Sequence, residues 1–572
     1  MRDSTSDVDP DVDPELGNGL DPDHDTGVTS TGHETTGLRW TGRDWLALAG
    51  VFIVYGVAAL LLFPGPHPGD PSYYFQSAVN WPHIPADYWT LRIGLVAPVT
   101  ALVHLFGPSE ITLYALPTAA TLLLAAAVFA TMRLLVSDRL VAAAAAATMV
   151  LVPGYLLNAF YIFPDTLATA TFAAGFLAVL HARPRHDSPD VRWATPTAVV
   201  AGVLFGLTYL IREFSPILAP AVVAALFLLH YDRRRICWLA AGFIATLAVE
   251  PIYGAVKYGD AFAHLHTLMR GTGEGAHHAM WAPFRRQVHN PVDAALVLPR
   301  LLLSWRSGWI LVVLMGVFVL ALLIVRDRRL TLLGIWFFSY WAIMIVFALV
   351  RNSHGDPLVN VGNVRYWAPL LPPMVMGGIG GAALLIRGRE PGLRRVRFAQ
   401  AAALALAAVT VIPGSVEFSS CASHDIWRNE PQQRWVEVRS WLQTSTAQHY
   451  DLMWAANPSR RLLTVFTRST FGHRLWPGQV QPIPRLGTPT PTQDPASLVL
   501  VDWRRDSARR VADLRRNAWT PIFVTRDGVI AVLAQSGQGR PVSAADEVRW
   551  MSAIGPRDLT PGSCGLSPYE AG

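Results

Sequence analysis

Asp70 lies in the run Pro68-Gly69-Asp70-Pro71-Ser72-Tyr73-Tyr74-Phe75, a few residues past the end of a long apolar stretch. A carboxylate beside hydrocarbon is costly unless it is paired or functional. One reading makes Asp70 the cap of a helix starting at Ser72, with Pro71 at its first position. The other makes it a base. The two are compatible, because a cap fixes the carboxylate on a rigid turn. Asp165, in Phe163-Pro164-Asp165, offers the same choice between a cap for Thr166 onward and a second acidic group. Arg212 follows the apolar run 194–211 and Arg365 precedes the run 366–386, both on the side where the positive-inside rule does not put arginine. A guanidinium binds phosphate oxygens in pairs through its planar fork. The plainer alternatives are an ion pair with Glu213 for Arg212 and snorkelling to head groups for Arg365.

A second concentration of chemistry occupies residues 256–307: Lys257, His264, His266, Arg270, His277, His278, Arg285, Arg286 and His289. Such density suits phosphate or a sugar, or else a solvated loop that orders on substrate. His277-His278 invites a metal reading. No His-x-x-x-His helix signature with an acidic partner accompanies it, so a divalent metal is not favoured and no cofactor is required. Trp81, Trp89, Trp281, Trp305 and Trp309 read as an interfacial belt, from which one or two could stack on a sugar ring.

The elements that must hold these groups are membrane helices. The chain has 572 residues, 52% hydrophobic and 15% charged, where soluble domains carry about 25% charged residues. The deficit is local. From Trp45 to Pro413 apolar runs of about twenty residues follow one another, each near the length that crosses about 30 Å of hydrocarbon. They are 45–63, 110–132, 140–153, 166–182, 194–211, 215–230, 236–255, 308–325, 330–350, 366–386 and 398–415, about eleven spans in all. Arg133/Arg139, Arg183/Arg185/Arg192, Arg233–Arg235, Arg326/Arg328/Arg329 and Arg387–Arg397 fill every second connection, which places those loops in the cytoplasm. The alternate connections face outward and include the two longest, 64–109 and 256–307. Leu91–Phe106 would invert this pattern if it spanned. The arginine alternation predicts that it lies in the interface as an amphipathic helix, and the odd count then puts residues 418–572 outside.

The net charge of +6 does not form a groove-binding patch, so nucleic acid is not a partner. Lys257 is the one lysine among 47 basic residues, a bias that reads as a G+C-rich bacterial genome. Residues 1–36 carry ten acidic residues against Arg2 alone and open a disordered cytoplasmic tail running to 44. Arg39 and Arg43 then hold the start of an uncleaved first anchor. Residues 45–417 form the membrane domain. Residues 418–572 read as a small α/β domain. It has a helix over Pro431–Thr444 with Trp435, Val438, Trp441 and Leu442 on one face, and a strand over Ser497–Val501 followed by a basic helix, Arg504–Asn517. A hairpin follows, Pro521–Val524 and Val529–Leu533 about Arg526-Asp527-Gly528. Cys237 reads as a buried small hydrophobe. Cys421 and Cys564 are either a disulfide or two free thiols.

Gly69-Asp70-x-x-Tyr73-Tyr74 resembles the aspartate motif of the C-type integral-membrane glycosyltransferases, nearest the protein O-mannosyltransferase and aminoarabinose-transferase group. The resemblance continues through Phe106-Gly107-Pro108-Ser109, Phe163-Pro164-Asp165, Gly206-Leu207-Thr208-Tyr209-Leu210-Ile211-Arg212 with Pro220, Asn363-Val364-Arg365-Tyr366-Trp367 and Leu370-Leu371-Pro372-Pro373. It departs at Pro71, where the family often has Glu, and in lacking a His-Pro-Pro motif. It implies a polytopic helical membrane protein with inverting sugar transfer from a polyprenyl-phosphate donor to an extracytoplasmic acceptor, which could be protein, lipid or cell-wall glycan. Asp70 would be the general base and Asp165 its backup or orienting partner. Arg365 and Arg212 would meet the lipid phosphate, with Tyr73, Tyr74, Tyr366, His264, His266 and Arg270 lining the substrates. Two other classes stay open: a flippase or transporter of lipid-linked sugars, and an inactive scaffold of the same fold.

Overall fold

The computed structural model describes residues 40–63, 65–66, 69–87, 89–182, 191–213, 215–271, 288, 290–303, 307–350, 361, 364–388, 392–423, 432–483, 497–503, 506 and 508–553. The acidic tail, His277, His278, Arg285, Arg286, His289, Trp281, Trp305, Asn363 and Cys564 lie outside them, as do the side chains of Arg270 and Cys421.

Every expected apolar run falls on a helix. Among the described residues six helices are long and apolar enough to cross a membrane: Gly42–Leu62, Glu110–Val136, Arg233–Tyr258, Arg328–Leu349, Arg365–Arg387 and Leu393–Val416. Five further apolar helices are shorter, Ile93–Phe106, Arg139–Leu151, Thr195–Ile211, Pro216–Leu228 and Trp309–Val325. In chain order the first eight helices are α1 Gly42–Leu62, α2 Asp70–Val79, α3 Ile93–Phe106, α4 Glu110–Val136, α5 Arg139–Leu151, α6 Pro153–Ala159, α7 Pro164–His181 and α8 Val191–Ile211. α1 opens with a capping box between Thr41 and Asp44. α5 is capped by Asp138, which accepts from the amides of Leu140 and Val141.

Close helix contacts are made where side chains are smallest, as packing without a hydrophobic drive between helices requires. A Cβ on Gly202 of α8 would stand 2.0 Å from Leu239 O, and one on Gly377 would stand 2.2 Å from Phe318 Cδ2. Between α7 and α8 the hydroxyls of Thr171 and Thr208 meet at 3.0 Å.

The arginine-bearing ends gather. Arg133 pairs with Asp44 at 2.8 Å, and Arg387 pairs with Asp138 at 2.5 Å while donating to Val136 O. Arg329 donates to Leu134 O. Helix α4 has 27 residues, so Glu110 at its start lies about 40 Å from this cluster. The basic end and the end that begins α2 and α4 are opposite ends of one bundle.

Two expectations fail here. Leu91–Phe106 is not amphipathic. Leu95, Val96, Val99 and Val103 of α3 are buried, yet Leu105 and Phe106 on the remaining surface are exposed apolar groups. Cys237 is exposed. Its helix packs through Leu239, Gly242 and Thr246, a seam from which Cys237 is turned away.

The C-terminal part contains a five-stranded sheet, β1 Leu452–Ala455, β2 Gln479–Pro482, β3 Ser497–Asp502, β4 Trp519–Val524 and β5 Ile530–Gln535. Its order is β2-β1-β3-β5-β4. β1 runs parallel to β2 and β3, and β5 runs antiparallel to β3 and β4. Val499, Val501, Val511, Leu514, Trp519, Leu533 and Trp550 form its core. Gly528 takes φ 75° in the expected hairpin. This part rests on the start of α4, where the buried Glu110 carboxylate pairs with Arg439 at 2.9 Å and accepts from Thr470 Oγ1 at 3.0 Å.

Candidate active site

Both aspartates sit in the first turn of a helix, and neither is its cap. Gly69 is the N-cap of α2 and Phe163 that of α7, so Asp70 is the first helical residue and Asp165 the second. Carboxylates suit the positive end of the helix dipole without capping it. Each is instead taken by an arginine. Arg365, on the 3₁₀ turn Val364–Leu370 that leads into the Leu371–Arg387 helix, donates from Nη1 to Asp70 Oδ2 at 2.7 Å. Arg212, just past the end of α8, places Nε 3.1 Å from Asp165 Oδ1.

The two pairs adjoin through Tyr366. Its ring lies 4.9 Å from the Arg212 guanidinium and 5.1 Å from that of Arg365, which also lies 5.2 Å from the Phe163 ring. Tyr366 accepts through its hydroxyl from Arg365 at 3.2 Å, and its backbone carbonyl accepts from Tyr340 at 2.5 Å. The four charged residues singled out by their position in the sequence thus meet around one aromatic ring. Their exposures differ. The Asp165–Arg212 side chains are 4% and 6% exposed, whereas Asp70 is 34% and Arg365 19% exposed. The outer pair is partly open and the inner pair is buried. A cavity beside the inner pair is lined by Asp165, Thr208, Arg212, Leu218, Tyr340 and Pro369.

Tyr73 and Tyr74 part company. Tyr73 is 38% exposed and stacks on Trp89 with centroids 4.6 Å apart. Tyr74 is fully buried and its hydroxyl accepts from Arg92. Burial raises that hydroxyl to about 12, against the partial relief given by the charge of Arg92. Tyr74 therefore holds α2 in place and offers no surface to a ligand.

Arg92 was not among the residues that the sequence singled out. It is 1% exposed and takes the partner expected for Arg212: its Nε donates to Glu213 Oε2 at 3.0 Å and its Nη2 to Oε1. Burial alone would raise the Glu213 carboxyl. The charges of Arg92 and Arg212 outweigh it and hold the group at about 2. With the folded pKa below the free value, the stabilisation is full above about 4.5 and is lost as pH falls toward 2. Arg92→Ala leaves a buried carboxylate without its first partner and is expected to cost about 3–5 kcal/mol. Glu213→Gln in the same chain should recover part of that loss. Thermal unfolding of the three proteins in detergent checks this, and an unchanged midpoint in Arg92→Ala would show the pair to be dispensable.

His264 and His266 are engaged locally, His264 with Glu250 at 2.7 Å and His266 with Asp260 at 2.8 Å. Arg270 lies on the same helix, Ala263–Gly271. Trp81 stacks on Tyr253 at 5.6 Å, with Lys257 5.4 Å above its ring. Among the described residues no group of three or more His, Cys, Asp or Glu is placed to hold a metal.

No protein-family profile matches the sequence, and no curated protein matches it. Solved structures do. ArnT from Cupriavidus metallidurans in the apo state superposes with a TM-score of 0.55 at 13% identity, over 88% of this chain and 99% of that one. The same protein bound to undecaprenyl phosphate gives a TM-score of 0.53 at 12% identity, over 88% of this chain and 100% of that one. At this identity the likeness is one of fold, and this chain shares the fold of ArnT over most of both chains.

Proposed function

We propose that this protein transfers a sugar from a polyprenyl-phosphate donor to an extracytoplasmic acceptor by a single inverting displacement. The observation that carries the reading is the Asp70–Arg365 pair, partly open and backed by the buried Asp165–Arg212 pair. A base and a phosphate ligand are needed within one site, and here they are in contact. Asp70 takes the acceptor hydroxyl proton as its oxygen attacks the anomeric carbon. Arg365 turns from Asp70 to the phosphate as the glycosidic C–O bond breaks and charge grows on the leaving oxygen. Arg212 supports that field from behind Tyr366, and Asp165 orients Arg212. That ArnT is seen with undecaprenyl phosphate supports the same donor class here.

The site end of the bundle would face out of the cell, because the arginine-rich connections at the other end follow the positive-inside rule. The test is direct. Full-length protein in nanodiscs is given a panel of polyprenyl-phosphate sugars, and release of prenyl phosphate is followed with and without candidate acceptors. Turnover of one donor supports the reading. Transbilayer movement of donor with no bond cleavage would make the protein a transporter. The reaction as proposed uses no divalent cation, so EDTA should change the rate by less than about twofold, far below the several kcal/mol a metal Lewis acid supplies. Abolition by EDTA and recovery with Mg²⁺ or Mn²⁺ would add a cation to the site.

A further inference from the structure

Arg461 comes from the C-terminal part, on the helix Asn457–Phe466, and is 7% exposed. Its guanidinium lies 3.2 Å from the centre of the Tyr73 ring, the ring that stacks on Trp89. Its Nη1 donates to Ser72 Oγ at 3.4 Å, and that hydroxyl donates to Gly69 O at 2.8 Å. Gly69 is the N-cap of α2, and the next residue is Asp70. A glycine cap contributes no side chain to tie down the turn, so the bracing has to come from elsewhere. Glu110, Arg439 and Thr470 make a second junction between the two parts.

We propose that Arg461 is a positioning residue for Asp70, so that the C-terminal α/β part completes the active site of the membrane part. The inference rests on the glycosyltransferase reading above. Arg461 clamps the Gly69–Tyr73 turn from one side while Arg365 holds the Asp70 carboxylate from the other. The carboxylate is thereby kept at one angle to an incoming hydroxyl. Misplacing a catalytic group by about 1 Å costs about 10²-fold in rate.

The test compares wild type, Arg461→Met and Arg461→Lys as full-length proteins in nanodiscs. Met keeps the apolar stem and removes the fork. The expected result is a kcat about 10- to 100-fold lower in Arg461→Met, with donor KM changed by less than about threefold, and partial recovery in Arg461→Lys. Hydrogen exchange should quicken at the first turn of α2 and stay unchanged at β3 and β5. An unchanged kcat, or lost protection in β3 and β5 together with kcat, overturns the proposal; the second outcome makes Arg461 a folding residue. A wild type inert toward every donor sinks the function reading and this one with it. An active wild type with an unaffected Arg461→Met sinks this one alone.

Discussion

Asp70→Asn is expected to lower sugar transfer by about 10²- to 10⁴-fold, the range a positioned general base supplies, while the protein still folds and inserts. The substitution is isosteric, and the amide oxygen can still accept from Arg365. What it removes is the basic lone pair that takes the acceptor proton. The stability cost should be small, because the Asp70 side chain is 34% exposed and the amide still gives Arg365 a hydrogen-bond acceptor. The effect therefore falls on kcat with the unfolding midpoint almost in place. Transfer rate and thermal unfolding measured on one preparation decide it. Wild-type turnover in Asp70→Asn would remove Asp70 from the mechanism, and the Asp165–Arg212 pair would become the place to look.

The second large effect belongs to Arg365. Arg365→Ala should cost about 10²–10³ in kcat, what removal of one preorganised donor to a developing anion costs elsewhere. Arg365→Lys should restore little of it. Lysine keeps the charge but loses the planar fork and the packing between Phe163 and Tyr366 that aims it. Because Asp70 and Arg365 touch, the double variant Asp70→Asn/Arg365→Lys should be much less impaired than the product of the two single losses. Multiplicative losses would mean that the two residues act on separate steps. Near-normal kcat in Arg365→Lys would reduce its part to a general positive field.

The candidate site is partly legible in the sequence. Asp70, Asp165, Arg212 and Arg365 are visible because charge near hydrocarbon is costly, so its presence there is information. The pairing was not legible. Arg212 stands next to Glu213 in the chain, yet Glu213 is held by Arg92, which lies 121 positions away. Neighbours on a helix end point in different directions, and only the approach of α3 to α8 brings Arg92 to Glu213. The cap readings failed by one position at Asp70 and by two at Asp165, because Gly69 and Phe163 took the cap role and freed both carboxylates for arginine. In the C-terminal part the hairpin about Asp527-Gly528 was readable from its turn. β1 and β2 were not. They are four residues each and pair in parallel with partners far along the chain, and so short a run carries little periodicity.

By itself the sequence determined a helical membrane protein, the segments that form its apolar helices and the residues whose charge is out of place, because hydrophobic length and charge cost are local properties of a chain. Only the tertiary structure decided which arginine meets which carboxylate, that Tyr74 is buried while Tyr73 is open, and that Arg461 reaches the turn bearing Asp70. Those are contacts between residues tens to hundreds of positions apart. They are set by the packing of whole helices against one another and of the C-terminal part against the start of α4, which no local pattern encodes.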